Sequence, residues 1–253
     1  MTGISAVIIT RNEARNIGRC IASLQDVVDE VVVVDAESTD DTPRIAADLR
    51  ARVITRAWTD YADQKNFANA QAVGPYILSM DADEALSPEL TTSLLAVIRN
   101  GLEGAYQVDR LTNYCGTWVK HGGWYPDSKV RLFPKGRARW AGTHVHETLE
   151  LDPGMPIAEL HGDLLHYSYP TVQDHLSRIE RYSDLHAQKL FAAGKRASFV
   201  KQWFSPMAKF IQGYVLRLGL LDGHAGWMIA KLSARAVRLK YVKLERLHNG
   251  RRA

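Results

Sequence analysis

Cysteine is nearly missing from this chain of 253 residues: Cys20 and Cys115 are the only two, far apart and without a second thiol near either. A disulfide framework and a Cys-x-x-Cys metal site are thereby excluded, and a reducing compartment fits. The opening MTGISAVIITRNE lacks the basic stretch, apolar core and small-residue cleavage site of a secretory signal, so a cytoplasmic location is expected. Long apolar runs are lacking as well. The most apolar part of the tail, residues 210–230, is broken by Gln212, Arg217, Asp222 and His224, which argues against a membrane-crossing helix. Internal repeats and low-complexity tracts are also missing.

What is present is a globular composition, 46% hydrophobic and 24% charged, enough to bury a sizeable core. The net charge of +4 conceals an asymmetry. Residues 1–194 carry 19 Lys and Arg against 26 Asp and Glu, a balance of −7, whereas residues 195–253 carry 13 against 2, a balance of +11. An acidic body suits a cation, and a basic tail suits the phosphates of lipid or nucleic acid.

Ile4 to Thr10 is a short β-branched apolar run, followed by Ile17, Cys20, Ile21 and Leu24 at helical spacing. The strand signal returns at Glu30 to Asp35, at Arg52 to Arg56 and at Pro75 to Met80. Helices are expected between these strands: one opens at Thr42 as N-cap with Pro43 behind it, one covers Asp60 to Ala72, and one begins at Ser87 and Pro88. Strands alternating with helices over the first hundred residues predict an α/β fold with a parallel sheet covered on both faces. Ligands of such sheets collect outside the carboxyl ends of the strands. Thr10 to Asn12, Asp35 to Ser38 and Asp81 to Glu84 all stand there, so three polar clusters converge on one rim. After residue 104 come shorter pieces rich in Trp, Tyr and Gly, and from Thr171 the chain reads as helical. Lys231, Arg235 and Arg238 alternate with Leu232, Val237, Leu239 and Val242, as on a basic amphipathic helix lying at an anionic membrane surface or packed on the body.

Asp81 and Asp83 are two apart at a strand end, a spacing that puts both carboxylates on one side, where they suit Mg²⁺ or Mn²⁺ bridged to phosphates. Asp occupies 17 positions, so one Asp-x-Asp triplet is expected about once by chance. Taken alone, the cluster reads equally as an acidic helix start before Pro88. Its place after the fourth strand of an ordered series carries more weight.

The series VIITRNEARNI, VVVVDAESTDDT and QKNFANAQAVGPYILSMDADE resembles the nucleotide-sugar-binding half of family 2 glycosyltransferases, over at least residues 4–100. TNYCGTWV, GGWYPDSKVRLFPKGRARWAGTHVHETL and LLHYSYPTVQDHLSRIERYS are similar to the branch typified by lipopolysaccharide inner-core glucosyltransferases. The resemblance implies a GT-A fold, Rossmann-like with a mostly parallel central sheet and flanking helices, plus a C-terminal helical extension. Its catalytic domain would span 1–170, with a donor-binding half at 1–100 and an acceptor-side half at 101–170, and the helical region would span 171–253. The implied activity is inverting transfer of a hexose, glucose foremost, from a UDP sugar to a glycan or lipid-linked acceptor.

On this resemblance the nucleotide sugar is held by Thr10, Asn12, Glu13, Asp35, Glu37, Ser38, Lys65, Asn66, Asp81, Ala82, Arg131 and His166, and Lys129 offers a further cation. Ala36 and Glu37 stand where the family carries Asp and Gly. Asp83 and Asp81 would hold the metal, and Glu147 would be the general base for the attacking hydroxyl. Trp124, Tyr125 and His146 would meet the acceptor, or would simply pack. Glu84 either touches the site or begins the next helix. Two other classes are weighed against this reading. A nucleotidyltransferase would need a glycine-rich, lysine-containing N-terminal loop, which is absent, and the tail carries no nucleic-acid motif, so no nucleic-acid partner is expected.

Overall fold

The computed structural model describes residues 2–142 and 147–250. Residues 1–110 with 127–167 form one compact unit, and residues 111–126 with 168–253 form a second. The first contains the whole of the expected donor-binding half. The segment 111–126 groups with the C-terminal helices.

The first unit begins β1 (Ile4–Thr10), α1 (Ile17–Ala22), β2 (Glu30–Asp35), α2 (Thr42–Asp48), β3 (Arg52–Thr55), α3 (Tyr61–Gln71) and β4 (Tyr76–Asp81). Then come β5 (Glu84–Leu86), α4 (Pro88–Asn100) and β6 (Ala105–Tyr114). The chain later supplies β7 (Thr117–Val119), β8 (Ser128–Pro134), β9 (Ala138–Ala141), β10 (Thr148–Leu151) and β11 (Ile157–Tyr169). Strand order in the main sheet is β3-β2-β1-β4-β8-β6-β11-β5. Strands β3, β2, β1 and β4 are parallel, as alternation with helices requires, while β8 runs antiparallel to both β4 and β6, and β11 antiparallel to β5. A separate antiparallel pair joins β9 to β10.

Period-two alternation divides the core between the two faces of the sheet. Ile4, Ala6 and Ile8 of β1 pack with Ile17, Ile21, Leu90 and Leu94 from helices on one face. Val7 and Ile9 pack with Ala68, Ala72 and Phe133 on the other. Both faces are therefore dry, which explains why the parallel strands read as unbroken apolar runs.

Helix starts follow local chemistry. Asp60 accepts the Asp63 amide at α3, and Ser87 accepts that of Leu90 at α4 with Pro88 behind it. One expectation is corrected: Thr42 is the first residue of α2, preceded by Asp41 as N-cap. The Thr42 hydroxyl instead accepts the Glu13 amide at 2.8 Å and donates to Asp40.

The second unit is built on α5 (Val172–Ala192), α6 (Phe199–Ile211) and α7 (Gly223–Gly250), with a π turn at Gln212–Leu216 and a 3-10 turn at Gly219–Asp222 between the last two. Thr171 and Asp174 form a reciprocal capping box at α5. A Cβ on Gly226 would come within 1.8 Å of the Gly219 carbonyl oxygen, so only glycine lets α7 start against the turn before it. Tyr114, Val119, Ala225 and Ile229 make a small core, with Trp124 and Tyr169 against it. No helix among the described residues is long and apolar enough to cross a membrane.

Candidate active site

Parallel pairing brings the three predicted clusters together. Thr10 is in register with Asp35 and Ile9 with Asp81, so the ends of β2, β1 and β4 form one rim. The loops there are knitted by side chains. Ser38 donates its amide and hydroxyl to the Asp35 carboxylate, at 2.8 and 2.5 Å, and its hydroxyl accepts the Asn12 amide at 2.8 Å. The Asn12 side-chain oxygen accepts the Thr39 amide at 2.8 Å.

Asn12 and Glu37 adopt left-handed backbone, φ 57° and 54°. Asn tolerates that region, whereas Glu pays a steric penalty where the resemblance expects glycine. Asp35 is buried with both oxygens engaged, while Glu37 is exposed. The Thr10 hydroxyl is buried and has no hydrogen-bond partner among the described residues, which leaves it open to a ligand. Glu13 accepts the Asn16 side-chain amide at 2.8 Å beside the start of α1.

Beyond β4 the structure departs from an extended Asp-x-Asp. The chain turns at Ala82 and Asp83 and re-enters a strand at Glu84, so the two aspartates meet different partners rather than one side of a strand. Asp81 lies 3.1 Å from Lys65 Nζ and 2.9 Å from Arg131 Nη2, one cation on each oxygen. Burial alone would push its carboxyl up, but these two cations carry it well below the usual carboxylate range. Asp83 Oδ2 stands 3.3 Å from His166 Nε2, and its carbonyl accepts the Tyr167 amide at 2.8 Å.

Glu84 settles its own question. It neither points to solvent nor opens a helix; it is 1% exposed, accepts the Asp81 amide at 2.9 Å and pairs with Arg131. Arg110 approaches it at 3.5 Å and pairs with Asp127 at 2.7 Å. Burial pushes the Glu84 carboxyl up, an effect that Arg131 opposes and Asp81 reinforces. Arg131 is held charged by Glu84 and Asp81 despite its burial.

Lys65, on α3, reaches Glu147 Oε1 at 3.4 Å as well as Asp81, and its ammonium sits 4.3 Å from the centre of the Trp140 ring. Asn66, beside it, has both ends of its amide on the Trp140 backbone, accepting at 2.9 Å and donating at 2.8 Å, so it anchors β9. Lys129 pairs with Asp127 at 2.8 Å. Trp124 lies in the second unit, edge-on to Tyr114 and tilted against Tyr169. Tyr125 precedes a cis proline, Pro126, in that same unit. His146 lies outside the described residues.

Arg110, Asp127 and the inward role of Glu84 escaped the sequence reading. Arg110 stands on β6, Glu84 on β5 and Asp127 just before β8, and no spacing in the chain announces which of these strands are neighbours.

Residues 5–149 match the sequence profile of glycosyl transferase family 2. The chain belongs to that family. An uncharacterized glycosyltransferase of Rickettsia typhi is 33% identical over 98% of this chain and 88% of its own length. The lipopolysaccharide core biosynthesis glycosyltransferase LpsC of Rhizobium meliloti is 31% identical over 97% of this chain and 93% of its own. The mannosyltransferase PcManGT of Pyrobaculum calidifontis, solved with GDP-mannose and Mn²⁺, superposes with a TM-score of 0.52 at 16% identity, over 95% of this chain and 86% of that one. The likeness shows a shared α/β fold of GT-A type, and the sheet, flanking helices and C-terminal helices described above are its parts.

In a family 2 glycosyltransferase the diphosphate must be offset by positive charge and the acceptor hydroxyl must lose a proton. The rim offers chemistry for both. Among the described residues no group of three His, Cys, Asp or Glu could hold a metal ion by itself. Asp83 with His166 supplies two donors, one oxygen and one nitrogen. The Asp83 oxygen is the donor that fits Mg²⁺ or Mn²⁺ when substrate phosphates and water complete the shell, since such ions are commonly held by one or two carboxylates plus phosphate.

Proposed function

We propose that the chain transfers a hexose, glucose foremost, from a UDP sugar to a hydroxyl of a glycan acceptor of the lipopolysaccharide-core kind, with inversion. The observation that carries this reading is the shared position of Lys65 between Asp81 and Glu147, which joins the donor turn to the proposed base at one rim. Asp83, with His166 beside it, would hold Mg²⁺ or Mn²⁺, which when bound supplies Lewis-acid charge for the departing diphosphate. Glu147 accepts the proton of the attacking hydroxyl. Lys65 holds that carboxylate in place, while Arg131, fixed by Glu84, orients Asp81. Thr10 and the Asn12–Ser38 loop frame the nucleotide. The likeness to LpsC supports a core-glycan acceptor.

The second unit is read as a peripheral attachment to an anionic membrane surface, in line with an acceptor anchored in lipid. The support differs from the one expected. Leu232 and Leu244 of α7 are buried, and α7 packs along α5 and α6, so its apolar face is occupied. Large apolar side chains crowd the surface instead between residues 200 and 227, including Phe204, Met207, Leu216 at 73% exposure, and Leu221. Lys201, Lys209 and Arg217 are interspersed with them, the composition of an interfacial segment.

Calorimetry with UDP and Mn²⁺ tests the donor reading. Metal-dependent binding that Asp83→Ala abolishes is expected; no binding by the wild type, or equal binding by the variant, would sink it.

A further inference from the structure

Within the second unit a groove of about 320 Å³ runs between α5, α6 and α7. Tyr169 at the end of β11, Arg178 and Tyr182 on α5, Lys209 on α6 and Lys240 on α7 line it, and no carboxylate does. Arg178 is held in place: it donates to the Ser168 hydroxyl at 2.7 Å and lies 4.7 Å above the Tyr169 ring. The carboxylates of α5 are engaged elsewhere: Asp174 caps the helix with Thr171, and Glu180 and Asp184 are both taken by Lys243 at 2.9 Å. Lys209 and Lys240 make no ion pair with any described residue. Three cations from three helices thus line one hollow, Arg178 over the Tyr169 ring and Lys240 with its ammonium 4.6 Å from the centre of the Tyr241 ring, and no carboxylate among the lining residues neutralises them.

Lysines on a helix surface ordinarily splay into solvent with their stems on apolar neighbours. Two features distinguish this groove. Its arginine is fixed by a hydrogen bond and an aromatic face, and its volume falls at the small end of ligand pockets, roughly 300–1,000 Å³. That room suits one phosphorylated sugar ring.

We propose that this groove binds a phosphomonoester, carried by a sugar of the acceptor. The proposal rests on the reading that the acceptor is a glycan, but it is read by binding and needs neither turnover nor the Glu147 base. The test is calorimetry of the full chain with glucose 6-phosphate, with glucose as neutral control, in the presence of saturating UDP. The variants are Lys209→Gln with Lys240→Gln in the groove, and Lys231→Gln with Arg235→Gln as an equal charge loss outside it.

Glucose 6-phosphate should bind the wild type, weaken at least tenfold in the groove variant and hold in the control, while glucose does not bind. Vesicles of phosphatidylcholine with phosphatidic acid form the second arm. Groove-dependent binding to these vesicles, with none to the sugar phosphate, supports the same phosphomonoester site and assigns it to a lipid headgroup. Equal weakening in the control, loss only in Asp83→Ala, or no groove-dependent binding to either probe overturns the proposal. Matching circular dichroism melts of all variants exclude misfolding as the cause.

Discussion

The Lys65 ammonium stands 3.4 Å from the Glu147 carboxylate, although 82 positions separate them in the chain. The same ammonium is 3.1 Å from Asp81, so a single cation links the turn after β4 to the residue proposed as base. Few contacts in the molecule join so much of the proposed chemistry.

The first expectation concerns that base. Glu147→Gln preserves shape and hydrogen bonding but cannot take a proton, so transfer should fall by roughly 10²–10⁴ while UDP affinity stays unchanged. Radiolabelled sugar transfer alongside calorimetry checks it. Retained turnover would move the base elsewhere.

Arg131 is buried against Glu84 and Asp81 and answers the most enclosed carboxylate of the site. Arg131→Met should cost about 3–5 kcal/mol, because it strands a buried carboxylate. Glu84→Gln in the same chain should recover part of the loss, since a neutral amide can still accept the Asp81 amide. Urea unfolding reads both. An unchanged midpoint in the single variant would contradict the buried pairing.

His175 in the second unit is pushed down to about 4, first by burial and then by Arg178, and its Nδ1 lies 3.1 Å from the Tyr114 hydroxyl. The folded form therefore binds fewer protons than an unfolded histidine of pKa about 6.5. Stability is complete above that value and is lost as pH falls from about 6.5 toward 4, by at most about 3 kcal/mol. The imidazole resonances of His175 should not titrate between pH 7 and pH 5. A midpoint near 6.5 by NMR would show the ring is not enclosed as described.

The apolar corner between α6 and α7 gives the fourth expectation. Each exposed leucine that enters a bilayer contributes about 1.5–3 kcal/mol. Leu216→Ser with Leu221→Ser should therefore weaken cosedimentation with phosphatidylglycerol-containing vesicles by at least about tenfold. Binding that survives this change but disappears at high salt would assign the attachment to charge alone.

The parallel half of the sheet was legible because its information is local. β1 and β2 fall at the residues where unbroken β-branched runs place them, and α4 starts where Ser87 and Pro88 announce it. Chain order then puts Thr10, Asp35 and Asp81 at one edge, since right-handed crossovers allow little else. The turn within Asp-x-Asp was not legible: the chain turns at Ala82 and Asp83, Glu84 pairs with the buried Arg131, and nothing within those residues reveals an arginine 47 positions away.

The sequence by itself determined the family, the α/β class and the rim on which donor chemistry gathers, because periodicity and motif order are properties of neighbouring residues. Only the tertiary structure decided which side chains share a proton or a cation there. Asp81 went to Lys65 and Arg131, Asp83 to His166, and the Asn66 amide to the backbone of Trp140. The same holds for the tail, whose apolar stripe on α7 turned inward while α6 kept its own outside. Such pairings depend on which strands and helices become neighbours, and burial makes each unmet charge costly enough to select its partner.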